Sequence, residues 1–516
     1  MRESNPRPRQ CECRALSAEL TPQHLKLYHA VCYNIPMKVT TRFAPSPTGY
    51  IHIGSVRSAI YPYLLAKQTN GNFILRIEDT DRKRYVEGAT ELIEETLQWL
   101  GLDWDEGPEK DGGHGPYFQT ERKDIYIKYA IKLIEQGRAY ADPTDSETLQ
   151  KYREDASRKK QAFLYRNYRP ENTPEWQPGI PLRFKADPKL RHYHDEVYGD
   201  QDLKPEIQDD FILIKADGLP TYNFAHIVDD AEMGVTHVFR GQEYLPSMGN
   251  YLALYEALNI TPPVFVHLPH ILGPSGTKKL SKRDGAKSVT DYKNEGVLPE
   301  AMLNFLACLG WNDGTEQELY SKENLIKQFK INRIQKSPAR FDEQKLIWLN
   351  GQWIRHNYET NKEELYRQTH NFWPESAIDD AKKREVFDII YDRLKTLSDL
   401  KSMTTYFFEE PTIDLKMITE NKFIKKLESD KLPLILDQVI NKLETISDWN
   451  VENLTTATNE LLTDTNTKPA QLFSIIRISV SFAPFSPALP DTLKVLGKET
   501  TLSRLRKIQA ELTEQS

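Results

Sequence analysis

The chain reads as an α/β protein, a parallel sheet layered with helices, followed by a half that is helical throughout. Three observations predict this. From residue 38 to about 290, short β-rich segments alternate with stretches of helical periodicity. Beyond about residue 291 strand alternation all but disappears. At 516 residues the chain also exceeds what one core can hold, which suits about three or four domains. A strand, helix, strand, helix order favours a parallel sheet covered on both faces, because each crossover must return over the sheet.

Taken in order, residues 1–37 lack clear periodicity and are expected to form a poorly structured extension. Arg2, Arg7, Arg9 and Arg14 would suit a targeting peptide, but Glu3, Glu12 and Glu19 do not, and no apolar secretory core is present. A dispensable tail, or a start assigned upstream of Met37, is the expectation. "KVTTRFA" then reads as a strand, and Val56, Ala59, Ile60, Tyr63 and Leu64 recur at helical spacing after a turn. Pro62 lies within that helix, where its ring opposes the Ser58 carbonyl, so a kink is expected. "NFILRIED" is a second strand, and Val86, Ala89, Ile93, Leu97 and Leu100 mark a helix face that stops at Gly101.

Residues 108–210 are looser, with one clear helix ending near Gly137, and are read as an insertion into the sheet. There "KYREDASRKKQAFLYRNYRP" interleaves basic residues with Tyr152, Phe163, Tyr165 and Tyr168. The mix suits base stacking and phosphate contact, and equally a solvated helix with packing aromatics. The sheet pattern resumes in 211–290, giving two halves, 38–107 and 211–290, of one α/β domain. Residues 291–360 form a helical joint in which 321–350 carry seven basic against three acidic side chains, a candidate RNA-facing surface. Residues 361–516 are all helical and end in a helix pair.

Composition narrows the classes. Apolar residues make up 39% and charged residues 28%, as in a globular enzyme, and there is no apolar run of about eighteen residues, so no membrane partner is expected. A net charge of −7 argues against indiscriminate nucleic-acid binding but allows local basic patches. Three of the four cysteines, Cys11, Cys13 and Cys32, precede the first strand and only Cys308 lies in the body, which leaves neither a disulfide framework nor a four-cysteine zinc site there. A reducing, cytoplasmic setting is expected.

The chemistry is expected at the first strand–helix turn, "APSPTGYIHIGS". Helix N-terminal amides lack intrachain partners and attract phosphate. Gly54 lets a nucleotide approach the backbone, and His52 can donate to a phosphate oxygen as charge grows there. About 230 residues later comes "KKLSKRD", in a loop bounded by Gly273, Gly276 and Gly285. Lys279, Lys282 and Arg283 there make a mobile cationic clamp suited to a triphosphate and its departing pyrophosphate. Alone, each segment is weak, the second reading by default as a solvated surface; their pairing is what points to nucleotide chemistry.

Together "APSPTGYIHIGS" and "KLSKR" resemble the signature pair of class I aminoacyl-tRNA synthetases. More narrowly, "RFAPSPTG", "LRIEDTD", "LQWLGLDWDEGP", "YFQTERKDIY", "THVFRGQEYL" and "FDEQKLIWLN" resemble bacterial-type glutamyl-tRNA synthetase, from about Lys38 to the C-terminus. The resemblance implies a Rossmann-type catalytic domain, an inserted acceptor-stem-binding domain, a stem-contact region and an α-helical anticodon-binding end. It implies Arg42, Ala44, Ser46, Glu78, Tyr222 and Arg240 as glutamate-binding residues. The nucleotide would meet Pro45, His52, Gly54, Ser55, Glu243, Lys279, Ser281, Lys282 and Arg283, with His52, Gly54, Lys279 and Lys282 catalytic. Two arginines can grip a carboxylate through charge-assisted bonds, and Glu78 would complement an ammonium group; the competing reading of Arg42 is an internal ion pair with Glu78 or Asp79.

Implied partners are ATP with Mg2+, L-glutamate and tRNA for glutamate, with tRNA for glutamine left open and a monomer expected. Departures from the family pattern are Ser55 where the signature often ends in histidine, "AYADPTD" without the cysteines of a zinc site, so that no zinc is expected, and "SVSFAPFSPAL" in a more glycine-rich stretch. A glutaminyl-tRNA synthetase would end in β-barrels, and a catalytically dead RNA-binding relative would not need His52, Gly54, Lys279 and Lys282 intact.

Overall fold

The computed structural model describes residues 38–49, 51–280, 287–427, 431–483 and 486–514. Met37 and the extension before it, like Ser281, Lys282 and Arg283, lie outside the described residues. In chain order the strands are β1 (Thr40–Phe43), β2 (Asn72–Leu75), β3 (Ala139–Ala141), β4 (Leu182–Phe184), β5 (Arg191–Asp195), β6 (Gly199–Leu203), β7 (Ile212–Ile214), β8 (His237–Gly241), β9 (Val264–Leu268), β10 (Ile271–Leu272) and β11 (Ala339–Arg340).

Six of them form the main sheet in the order β2-β1-β8-β9-β5-β6. The β1–β2, β1–β8, β8–β9 and β9–β5 pairings are parallel, and β6 joins the edge as the antiparallel partner of β5. The first helix, α1 (Ile53–Gln68), covers one face, where Val56 and Ile60 pack with Phe73, Phe239 and Val266. Side chains one step along the same strands, Ile74, Val238 and Phe265, enter a second apolar cluster on the opposite face. This alternation is the period-two geometry of a sheet buried on both sides.

Helix α1 runs unbroken past Pro62, whose carbonyl accepts a 2.8 Å bond from Thr41 Oγ1. The second helix, α2 (Ala89–Trp99), starts later than its apolar spacing implied. Gly88 takes a left-handed conformation (φ 77°) at its N-terminus, so Val86 stays in the preceding loop, 45% exposed, with its amide bonded to the Pro47 carbonyl at 3.0 Å.

Sheet membership does not follow the boundary at residue 210. The β5–β6 hairpin falls within 108–210 yet extends the main sheet, whereas β7, beyond the boundary, pairs with β4 in a separate antiparallel sheet of order β3-β4-β7. The hairpin segment "RHYHDEVYGDQDL" is polar along its exposed face and carries little strand signal by itself. Helices α3 (Lys123–Glu135) and α4 (Ser146–Arg158) complete this region. Of its aromatics, Tyr165 is buried under the Arg183 guanidinium, while Tyr152 and Phe163 both stack on Tyr168, at 4.5 and 5.8 Å.

The sheet then continues through α5 (Tyr222–Glu232) and α6 (Met248–Leu258). Beyond β10 come α7 (Val289–Asn294), α8 (Pro299–Cys308), α9 (Lys322–Gln328) and the long α10 (Glu343–Gln368). After β11 the described chain is helical, ending in the pair Leu489–Leu496 and Lys498–Glu514. Among the described residues no helix is long and apolar enough to cross a membrane.

Candidate active site

At the C-terminal ends of β1 and β8 a cavity of about 900 Å³ opens. Crevices at this edge of a parallel sheet are where α/β folds bind ligands. The turn after β1 is pinned by backbone bonds from Arg76 N to the Phe43 carbonyl (3.0 Å) and from Glu78 N to the Pro45 carbonyl (2.9 Å). These bonds set Ala44, Pro45 and Ser46 along the cavity beside Glu78.

His52 occupies the N-cap of α1. Its Nδ1 accepts from the amides of Gly54 (3.1 Å) and Ser55 (3.4 Å), so the proton of the neutral ring resides on Nε2, 3.2 Å from Ser55 Oγ. A Cβ on Gly54 would stand 3.0 Å from His52 Cε1 and 3.1 Å from Nδ1, so glycine leaves room for the ring that caps it. Ser55, the departure from the family pattern, thus belongs to the histidine's own hydrogen-bonding set.

The inner wall is a buried charge network. Arg42 forms a two-pronged pair with Asp230, Nε to Oδ1 at 3.0 Å and Nη2 to Oδ2 at 3.2 Å, and its Nη1 donates to the Phe239 carbonyl at 3.0 Å. Its internal partner is therefore Asp230, not Glu78 or Asp79 as the competing reading had it. Arg76 joins the set, with Nη1 2.8 Å from Asp230, Nη2 3.2 Å from Glu78 and Nε 3.6 Å from Asp229. Asp229 also accepts from Arg122, Gln119 and Tyr126 at 2.7 to 2.9 Å.

Burial pushes the Asp230 carboxyl up, but Arg42 and Arg76 outweigh this and hold it well below the usual carboxylate range. For Glu78 the balance reverses: burial wins over Arg76 and Arg42 and pushes the carboxyl up to about 7. A carboxyl so placed is poised to ionise when a cation enters beside it.

Arg240, from β8, differs from Arg42. Its Nε donates to His267 Nε2 (3.0 Å), Nη1 to His226 Nε2 (3.2 Å) and Nη2 to Met248 Sδ (2.7 Å). Tyr222, at the start of α5, stacks on His226 and Tyr244 beside it. Glu243 pairs through Oε1 with Lys279 at 3.3 Å, and its Oε2 stands 3.7 Å from His270.

Of the residues expected from sequence, Arg42, Ala44, Pro45, Ser46, His52, Ser55, Glu78, Tyr222, Arg240 and Glu243 all line this one cavity. Gly54 lies just behind His52, and Lys279 is held by Glu243 rather than lining the wall. Sequence reasoning missed Arg76, Asp230, His226 and His267, which shape the wall from behind, and also Arg82, Lys83, Arg84 and Lys215 at the rim. The run "DRKR" was a visible signal for the rim; nothing in the sequence tied the others to the site. Among the described residues no group of three or more His, Cys, Asp or Glu is placed to hold a metal ion.

Comparison with known proteins places this geometry in a family. Residues 38–348 match the family described as tRNA synthetases class I (E and Q), catalytic domain, and residues 364–509 match an anticodon binding domain. A glutamate–tRNA ligase of Clostridium botulinum is 40% identical over 478 residues, covering 91% of this chain and 97% of its own. One from Dehalococcoides mccartyi is 38% identical over 485 residues, covering 92% and 98%. Among solved structures, the glutamate tRNA ligase of Elizabethkingia meningosepticum, in complex with its amino acid, is 33% identical with a TM-score of 0.82, covering 92% of this chain and all of that one. With a parallel sheet, a His-x-Gly cap at its first turn and matches that span both halves, the chain belongs to the class I glutamyl-tRNA synthetase family.

Proposed function

We propose that the protein attaches L-glutamate to the 3′ end of tRNA for glutamate through a glutamyl-adenylate. The observation that carries this is the single cavity lined by a phosphate-type helix cap, His52 and Ser55, and by the charged set Arg42, Glu78, Tyr222 and Arg240. The cavity can hold an amino acid and a nucleotide side by side.

In the first step the α-carboxylate oxygen of glutamate attacks the α-phosphorus of ATP, and the bond to the β-phosphate breaks to release pyrophosphate. Mg2+ enters as part of the ATP substrate. Arg42, already fixed by Asp230, and Arg240 receive the side-chain carboxylate with Tyr222, Ala44 and Ser46 shaping the space, and Glu78 faces the ammonium group. His52 Nε2–H donates to a phosphate oxygen as its charge grows, with Gly54 and Ser55 amides behind the ring. Glu243 and Pro45 lie toward the adenosine. Lys279 leaves Glu243 for the polyphosphate, and Ser281, Lys282 and Arg283 are assigned to the same clamp by family resemblance. No side chain acts as a covalent nucleophile; positioning and charge carry the step. In the second step a hydroxyl of the terminal tRNA adenosine attacks the acyl carbon and AMP departs.

The region within 108–210 is assigned to the acceptor stem, 291–360 to stem contact and 361–516 to the anticodon, in a cytoplasmic monomer. The test is aminoacylation with labelled glutamate on purified tRNA for glutamate and, separately, on tRNA for glutamine. Charging of the first alone supports a discriminating enzyme, and charging of both places it at the head of a transamidation route. Charging of neither refutes the proposal.

A further inference from the structure

Two buried cations reach the inner wall, and they are held in opposite ways. Arg42 is neutralised at contact distance by Asp230. Arg240, only 5% exposed, touches three neutral acceptors, His267 Nε2, His226 Nε2 and Met248 Sδ. Among the described residues no carboxylate stands within ion-pair distance of it. The rings of Tyr251, Tyr244 and Phe265 surround its guanidinium carbon at 4.8, 5.2 and 5.5 Å, which eases burial of a cation without supplying an anion.

Both histidines are fixed in the tautomer that accepts from Arg240. His226 Nδ1–H donates to the Tyr222 carbonyl at 2.7 Å, and His267 Nδ1–H donates to Asp195 Oδ2 at 2.6 Å. Asp195 stands on the far side of the His267 ring and also accepts from the amides of Val197 and Tyr198. Burial, with Arg240 beside it, drives the His226 pKa down to about 3, and burial lowers that of His267 also, so neither ring turns cationic near neutral pH.

Resting on the glutamate reading above, we infer that His226 and His267 are specificity-determining positioning residues. They orient Arg240 while leaving its charge unanswered, so that the site demands an anionic side chain and discriminates against the isosteric amide. A carboxylate in place of either acceptor would satisfy Arg240 internally and remove that demand. Discrimination is strong when the wrong ligand leaves a buried charge unpaired.

The experiment is ATP–pyrophosphate exchange in the presence of tRNA for glutamate, with L-glutamate and L-glutamine compared for the wild type, His226→Glu and His226→Gln. His226→Glu is expected to raise KM for glutamate by about a hundredfold, with a smaller effect on kcat, and to narrow the glutamate-to-glutamine ratio of kcat/KM by at least about tenfold. His226→Gln, which can still offer a neutral acceptor, is expected to restore most of the preference. If His226→Glu does not unfold cooperatively, Met248→Glu brings the same charge to Nη2 from α6, with Met248→Gln as its neutral counterpart. A folded carboxylate variant that keeps the wild-type ratio overturns the inference while leaving the glutamate reading standing. A wild type with no glutamate-dependent exchange overturns both.

Discussion

Glu78 offers the sharpest test of how the amino acid sits. Its carboxyl is buried and pushed up to about 7, with Arg76 at 3.2 Å too weak to cancel the cost of burial. If it faces the substrate's ammonium group, only its ionised form binds well, and affinity follows the ionised fraction. Between about pH 8 and about pH 6 that fraction falls from about nine-tenths to about one-tenth, so the Kd for glutamate should rise about tenfold. Over the same window the ligand's own ammonium and carboxylates keep their charges. Equilibrium dialysis with labelled glutamate at half-unit pH steps measures this directly. Glutarate, which lacks the ammonium, should show the opposite trend, since it gains nothing from ionised Glu78 and is repelled by it. Glu78→Gln should bind glutamate weakly with a flat profile. Parallel slopes for glutamate and glutarate, or a wild-type slope retained in Glu78→Gln, would remove Glu78 from the ammonium site.

Other expectations follow from the same geometry. Because ionising Glu78 opposes folding, its cost is absent below the ordinary value of 4.5, builds up between 4.5 and about 7, and is fully present above that. Glu78→Gln should therefore gain on the wild type by about 2.5 kcal/mol at pH 8 relative to pH 5, and thermal unfolding that shows no such pH-dependent gap would contradict this. His52→Ala should slow adenylate formation by about a hundredfold or more, and Gly54→Ala, by crowding the ring, should have a similar effect with an unaltered melting temperature. Rapid-quench assay of Gly54→Ala at the wild-type rate would show that the cap does not position His52. Asp230→Asn leaves Arg42 and Arg76 short of an anion in the interior, and urea unfolding should reveal a loss of about 3 to 5 kcal/mol; a loss under about 1 kcal/mol would mean that water or another carboxylate compensates.

How much was legible depended on whether the signal was local. The turn from Arg42 to Ser55 carries its chemistry within a few residues, and ten expected side chains do meet in one cavity. Buried periodicity placed Val56, Ile60 and Leu64 correctly, and the helical character of the tail was plain. Arg42 was expected to act on a ligand or to pair with the nearby Glu78 or Asp79, yet Asp230, 188 residues away in sequence, claims it. Such a pairing is fixed by where α5 crosses the sheet, and no window of the chain contains it. His226 and His267 were hidden for the same reason, each reading as an ordinary residue of an apolar helix or strand. The β5–β6 hairpin was overlooked because its solvent face alternates histidine and aspartate, giving cross-strand pairs at 2.7 Å instead of an apolar stripe.

Helix α10 carries the chain across the seam between its two family matches, which end at residue 348 and begin at residue 364. Each side is tied to its own surroundings, Trp353 Nε1 to Asn304 at 3.0 Å and the Tyr366 hydroxyl to Asp380 at 2.8 Å, and the helix kinks at Asn361, whose φ of −152° and ψ of 58° are not helical. Ahead of that kink the join is a screw, and rotation and length are coupled in it. One residue added between Glu359 and Asn361 would turn the anticodon end by about 100° while advancing it only about 1.5 Å, whereas about seven would restore the heading within about 20°. A long RNA gripped at both ends would register that angular error well before it registered the added length.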